Sequence, residues 1–154
     1  MRNILVVSMA CVALIACSHQ ETRSKSVDDY KAAALAVAGS TDVATAMTNI
    51  GDDDVVFVDV REAAEIAKNG KISGAVHIPR GVLEFQIDPS SSMHNDVFSS
   101  GKKIIFYCAS GGRSMLAAGV AAEMGLSDPV FLEGGFKAWA KADGAIDHAV
   151  QADN

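Results

Sequence analysis

Cys108 stands where a thiol can be made reactive. It follows an apolar run, Ile104-Ile-Phe-Tyr107, and leads into Ala109, Ser110, Gly111, Gly112, Arg113 and Ser114. The run reads as a short buried strand. The alanine-rich stretch from Met115 to Met124 reads as a helix. A thiol on a tight strand-to-helix turn faces backbone N–H groups and the positive end of the helix dipole, and both favour the thiolate. Gly111 and Gly112 let the backbone curl, and Arg113 adds a planar donor fork suited to oxyanions. The pattern is that of an activated cysteine nucleophile. Burial as an inert structural residue is the common fate of a lone thiol. The glycine pair, the arginine and the immediate helix together argue against it here. The loop lacks the Gly-Lys-Ser/Thr ending of a nucleotide-binding P-loop, and no second cysteine stands nearby to complete a zinc site.

Other polar residues carry two readings each. Arg80, directly after Pro79, is either a binding group for an anionic substrate or a surface arginine. Asp59 and Arg61 are expected to pair with each other or to brace the active loop rather than to take part in chemistry. Ser110 and Ser114 can bond the sulfur or cap the helix, and capping is the expectation for Ser114. His77 lies in an apolar segment and is expected to be structural. His94, in the loop 88–95, could be mistaken for a general base. Trp139 is expected in the core, with Glu133-Gly-Gly135 as a turn holding the last helix.

The elements around these residues alternate. Asp28 to Ala38 reads as a helix stopped by Gly39. Ser40-Thr-Asp42 offers an N-cap for a second short helix carrying Val43, Ala46, Met47 and Ile50. After the acidic turn Gly51–Asp54, Val55 to Val60 is a near-continuous apolar strand of the kind buried on both faces of a parallel sheet. Arg61 to Lys68 reads as a helix ended by Asn69-Gly70. Ala75 to Ile78 is a third apolar segment, Arg80 to Ile87 a helical turn, Val130 to Leu132 a last strand and Gly135 to Ala140 a last helix. Strands alternating with helices predict an α/β domain with a mostly parallel central sheet flanked by helices.

The N-terminus reads differently. Met1-Arg-Asn3 is a basic start, and Ile4 to Ala16 is an apolar run too short to span a bilayer comfortably. The run ends in Leu14-Ile-Ala-Cys17, which resembles a bacterial lipoprotein signal cut before the cysteine. That resemblance implies a signal peptide over 1–16, a lipidated Cys17 and a flexible tether over 17–27. It also implies a periplasmic protein held by lipid, with Ser18 pointing to the outer membrane. A plain secretory signal with a soluble periplasmic product is the alternative. Cys11 would leave with the signal, so Cys108 would be the one free thiol and would have no disulfide partner. The remaining chain, about 140 residues, suits one domain over 28–145 with a polar tail over 146–154. A net charge of −6 argues against nucleic acid as a partner and against a polybasic membrane patch.

Three stretches, in order, resemble the rhodanese (sulfurtransferase) family. They are Val56-Phe-Val-Asp-Val-Arg-Glu62 with Gly70-Lys-Ile-Ser-Gly-Ala-Val-His-Ile-Pro79, then Tyr107-Cys-Ala-Ser-Gly-Gly-Arg-Ser114, then Val130-Phe-Leu-Glu-Gly-Gly-Phe-Lys-Ala-Trp139. The resemblance covers roughly residues 40 to 145, in the single-domain form. It implies a rhodanese-like fold and a Cys108 persulfide, formed from thiosulfate or another sulfane-sulfur donor. The persulfide would pass to cyanide, a small thiol or a protein thiol, with no cofactor and no metal. Ala109 to Ser114 would stabilise it. Cysteine-dependent phosphatases, some on the same fold, place five residues between Cys and Arg. Here four residues, Ala109 to Gly112, separate Cys108 from Arg113, which resembles the sulfur-handling members. A lipid-tethered sulfur carrier without significant turnover, and a phosphatase or arsenate reductase, are the rival functions.

Overall fold

The computed structural model describes residues 24–148. The expected signal peptide, Cys11, Cys17, most of the tether and residues 149–154 lie outside the described residues. In chain order the elements are α1 (Val27–Val37), β1 (Gly39–Thr41), α2 (Val43–Met47), β2 (Val55–Asp59), α3 (Ala63–Asn69), β3 (Lys71–Ile72) and β4 (Val76–His77). They continue with α4 (Leu83–Ile87), β5 (Lys103–Tyr107), α5 (Gly112–Glu123), β6 (Val130–Leu132), α6 (Gly135–Lys141) and β7 (Ile146–Asp147). Short 3-10 turns cover Arg80–Val82 and Asp96–Ser99.

Five strands form one parallel sheet in the order β1-β6-β5-β2-β4. Its centre is the pair β2 and β5, in register from Val55 opposite Lys103 to Asp59 opposite Tyr107. Strand residues alternate between faces, so β5 divides its apolar side chains between two cores. Ile104 and Phe106 join Val58, Leu83, Phe98, Ala117, Ala121 and Phe131 under α4 and α5. Ile105 and Tyr107 join Ala46, Phe57, Ile72, Phe136 and Trp139 under α2 and α6. Both faces are covered, as a parallel sheet requires. This matches the expected α/β fold with a mostly parallel sheet.

Three local expectations are corrected, and residues 96–99, to which the sequence assigned no element, form a turn. Gly39–Thr41, read as the approach to a helix, forms edge strand β1 beside β6; it has no apolar pattern, and its pairing is decided by the strand it meets. A polar tail is expected over 146–154, yet Ile146–Asp147 pairs antiparallel with Lys71–Ile72. Asp147 also accepts bonds from the Ser73 hydroxyl at 2.6 Å and the Gly74 N–H at 3.0 Å. Asp96–Ser99 winds into a 3-10 turn begun by the Asn95 side chain, which accepts from Val97 N–H at 3.1 Å. Finally, α5 starts at Gly112 rather than Met115, with left-handed Gly111 (φ +100°) in the N-cap position. Ser114 is therefore inside the first turn and does not cap it.

Helix α1 begins with a capping box: Asp29 N–H donates to Ser26 Oγ at 3.2 Å, and Ser26 N–H donates to Asp29 Oδ2 at 2.7 Å. It packs on α5 where Gly119 faces Ala34, and a Cβ on Gly119 would stand 2.6 Å from the Ala34 Cβ. Among the described residues no helix is long and apolar enough to cross a membrane.

Candidate active site

The C-terminal ends of β2 and β5 bring together Asp59, Arg61 and the Cys108 loop. Ligands bind there in open α/β sheets, because loops and helix N-termini converge beyond the strand ends. Cys108 leaves β5 with its side chain buried, at 1% exposure, and it is the one free cysteine among the described residues. Its Sγ accepts the Gly111 N–H at 3.2 Å and the Ser114 hydroxyl at 3.6 Å. Ser114 Oγ also lies 3.0 Å from the Gly111 carbonyl, so its proton is shared between sulfur and loop. Burial pushes the thiol up, but the N–H groups of Ser110, Ser114 and Gly111 and the Ser114 hydroxyl outweigh it. The thiol is held below its ordinary value. Bonding to the sulfur is thus the role Ser114 takes in place of the expected cap.

Arg113 points the other way from what its place in the loop suggests. It makes a two-pronged bond to Glu65 of α3, with Nη1 to Oε2 at 2.7 Å and Nη2 to Oε1 at 2.8 Å. Glu65 Oε2 also accepts Glu62 N–H at 3.0 Å, closing the capping box of α3. The Arg113 hydrogen bonds hold the Glu65 carboxyl down at about 2, from an ordinary 4.5. Arg113 in turn is raised by Glu65 first, and by the Cys108 sulfur as a smaller contribution. The guanidinium is therefore oriented by Glu65 and favours the thiolate from a fixed position.

Asp59 and Arg61 do pair, and completely inside the protein, at 0% and 1% exposure. Arg61 Nε donates to Asp59 Oδ1 at 2.9 Å, and Nη2 donates to Oδ2 at 2.5 Å and to the Gly70 carbonyl at 2.8 Å. The guanidinium lies 4.1 Å from the Phe136 ring centroid and 5.6 Å from that of Tyr107. Tyr107 donates no charge there: burial, then Asp59, keeps its phenol neutral, and its oxygen accepts Ile72 N–H at 3.0 Å. This clamp ties the end of β2 to α6 and to the turn before β3.

Helix α6 completes the cradle from the opposite side. Phe136 N–H donates to the Cys108 carbonyl at 2.7 Å and Lys137 N–H to the Ala109 carbonyl at 3.1 Å. Gly134 and Gly135 both have positive φ, +71° and +59°. A Cβ on Gly135 would collide with the Cys108 carbonyl oxygen and would stand 2.9 Å from Ser110 N. The turn Glu133-Gly-Gly135 therefore does more than hold the last helix, because it lets α6 touch the Cys108 loop.

Two clefts flank that loop. One, of ~510 Å³, is bounded by Ala109, Arg61, Glu65, Asn69, Phe136 and Lys137. The other, of ~560 Å³, is bounded by Ser110, Gly111, Gly112, Met115, Glu133 and, from α1, Lys31 and Leu35. Ala109 to Ser114 are thus brought together around Cys108. Arg80 is placed elsewhere: it bonds Glu84 through Nη1 at 2.9 Å and borders a cavity with Tyr30, Leu116 and Glu123. Neither cleft at the loop includes it. His77 Nε2 donates to the Arg61 carbonyl at 2.8 Å. His94 Nδ1 donates to the Gln86 carbonyl at 3.0 Å, leaving Nε2 to the Ser99 hydroxyl at 2.8 Å. Trp139 is fully buried, edge-on to Phe57, with its indole N–H donating to the Ala145 carbonyl at 3.1 Å. Glu65 escaped the sequence reading, and Gly135 was read there only as part of a turn. The signal for Glu65 was its spacing, three residues after Glu62 at a helix start, and nothing in the sequence paired it with Arg113.

A family model for the rhodanese-like domain matches residues 42–142. A rhodanese domain-containing protein of Drosophila melanogaster is 30% identical over 96 residues, which span 59% of this chain and 86% of the relative. A protein named sulfurtransferase from Allochromatium vinosum is 33% identical over 89 residues, 58% of this chain and 75% of that protein. Among solved structures, a protein of unknown function from Rhodopseudomonas palustris, described as a possible tyrosine phosphatase, is 40% identical. It has a TM-score of 0.78 and covers 82% of this chain and 98% of that one. A rhodanese-related protein from Thermoplasma volcanium, 26% identical with a TM-score of 0.59, covers 72% of this chain and 99% of its own. The matched segment holds the Asp59–Arg61 clamp, the Cys108 loop and the α6 contact alike, and the chain belongs to the rhodanese-like domain family.

Proposed function

We propose that this protein is a sulfurtransferase of the thiosulfate type, working through a persulfide on Cys108. The observation that carries the reading is a thiol held below its ordinary value by Gly111, Ser110 and Ser114, in a loop of four residues between Cys108 and Arg113. The Cys108 thiolate attacks the outer sulfur of thiosulfate. A new S–S bond forms, the old one breaks, and sulfite leaves with its electron pair. The terminal sulfur of the persulfide is an anion, and the loop N–H donors and the fixed guanidinium of Arg113 stabilise it. Cyanide or a thiolate then takes that sulfur and returns Cys108 as thiolate. Two half-reactions on one residue give ping-pong kinetics. The Allochromatium relative's name supports transfer of sulfur in general, and thiosulfate as donor is our reading.

A phosphatase is the second reading, favoured by the description of the Rhodopseudomonas structure. The short loop disfavours it, since it has one residue fewer to wrap a phosphate's oxygens. A carrier that exchanges sulfur with a partner protein but turns over slowly uses the same persulfide. We also propose that a lipidated Cys17 tethers the domain to a bacterial membrane on its periplasmic side, a reading that rests on residues 14–17 alone.

The test is the intact mass before and after thiosulfate. A gain of one sulfur atom, absent in Cys108→Ser and removed by cyanide, is the expected result. No gain with thiosulfate, together with hydrolysis of an aryl phosphate that depends on Cys108, would overturn the reading.

A further inference from the structure

On the Ala109 side of the Cys108 loop stand three cations, and two of them are already neutralised. Arg61 is buried against Asp59. Arg113 is held by both oxygens of Glu65. The third is Lys137, exposed on the cleft that Ala109 borders, and among the described residues it makes no ion pair. Its backbone is pinned to the loop, because Lys137 N–H donates to the Ala109 carbonyl at 3.1 Å, next to the Phe136 bond to Cys108. The cleft on the other side of the loop has the opposite balance. Lys31 is paired with Asp28 at 3.1 Å, and Glu133, bonded to the Ser40 hydroxyl, is left as its charge. Pair by pair, one mouth of the loop carries an excess positive charge and the other an excess negative one.

We propose that Lys137 is the specificity-determining cation for anionic sulfur donors, drawing them to Cys108 through the cleft beside Ala109. The substrate class is a small dianion with a sulfonate end and a transferable outer sulfur. Lys137 holds the sulfonate oxygens while the outer sulfur meets the thiolate, and sulfite departs on the same side. The choice of substrate rests on the sulfur-transfer reading, whereas the charge asymmetry does not. An unpaired cation on a cleft wall raises the local concentration of anions, and added salt removes the effect.

The experiment compares alkylation of Cys108 by iodoacetate, an anion, and iodoacetamide, which is neutral, followed on the Cys108 peptide of the whole protein. Lys137→Ala should lower the iodoacetate-to-iodoacetamide rate ratio by roughly threefold to tenfold at low salt. Lys137→Glu should lower it further and Lys137→Arg should restore it. The differences should close near ~1 M salt, where the screening length is ~3 Å. Thiosulfate should load the Ala variant more slowly than the wild type by a similar factor, while a neutral organic trisulfide, attacked at an outer sulfur to give the mixed disulfide of Cys108 and release an organic persulfide anion, reacts with both alike. An unchanged alkylation ratio in both Lys137→Ala and Lys137→Glu would overturn the inference. Should thiosulfate load no sulfur onto the wild type, the thiosulfate reading fails, and the alkylation ratio still decides on the cation by itself.

Discussion

Gly135→Ala tests how the Cys108 loop is held. Gly135 has φ +59°, and the new Cβ would collide with the Cys108 carbonyl oxygen and sit 2.9 Å from Ser110 N and 3.0 Å from Ala109 C. All three are backbone atoms, so no side chain can swing aside. The left-handed conformation costs about 1–2 kcal/mol with a Cβ, and overpacking adds about 1–3 kcal/mol. The reduced freedom of the unfolded chain returns about 0.4–1 kcal/mol. The net expectation is a destabilisation of ~2–4 kcal/mol. Gly51→Ala is the control, because Gly51 has φ +81° but nothing within 4 Å of the added Cβ. It should cost about 1 kcal/mol or less. Urea unfolding midpoints give the stabilities, and the pH profile of Cys108 alkylation by iodoacetamide reports the loop. Moving Cys108 and Ser110 misaligns the N–H groups that lower the thiol, so the profile of Gly135→Ala should shift to higher pH. Equal stability of the two variants, with one alkylation profile for both, would refute the account of α6 as a brace for the loop.

Glu65→Gln removes the partner of Arg113. The carboxyl is at about 2 in the folded protein against an ordinary 4.5, so its contribution is full above ~pH 4.5 and is lost as pH falls through ~2. The lowering corresponds to at most ~3 kcal/mol, and with about a third of each side chain in water screening leaves ~1–2 kcal/mol. Urea titrations should show that deficit at pH 7 and a shrinking gap below pH 4; a gap independent of pH would contradict the pairing. Asp59→Asn leaves Arg61 buried without its counter-charge, and thermal unfolding should report a loss of about 3–5 kcal/mol, whereas a loss below ~1 kcal/mol would mean that water reaches the pair. Ser114→Ala deletes one donor to the Cys108 sulfur, so the rise of alkylation rate with pH should move upward while the circular dichroism spectrum is retained. An unmoved profile would assign the lowered thiol to the backbone N–H groups alone.

The strands that carry the site were legible because they are continuous apolar runs. Val55–Asp59 and Lys103–Tyr107 need no partner information to be recognised as buried on both faces. Strands β1, β3 and β7 were not, since Gly39–Thr41, Lys71–Ile72 and Ile146–Asp147 are two or three residues long and, unlike the equally short Val130–Leu132, carry no apolar run. Segments that short have no period to read, and their pairing is set by what lies beside them. The start of α5 was misplaced for a related reason. Glycine is a poor and serine a middling interior helix residue, yet left-handed Gly111 turns the chain so that Gly112 already lies in the helix. That three-residue shift turns Ser114 from an expected cap into a donor to sulfur.

By itself the sequence determined the place of Cys108 at a strand end, its loop length and the alternation of elements that makes a parallel sheet, because each is written in contiguous residues. The tertiary structure decided which charges remain available. Glu65 lies 48 positions from Arg113, yet the two are bonded at 2.7 Å and 2.8 Å. Arg80, near the site by motif, is turned toward Glu84. Lys137, unremarkable in the chain, is brought to Ala109 by the approach of α6 that Gly135 permits. Ion pairing depends on distance in space and on burial, and neither quantity is a function of position along the chain.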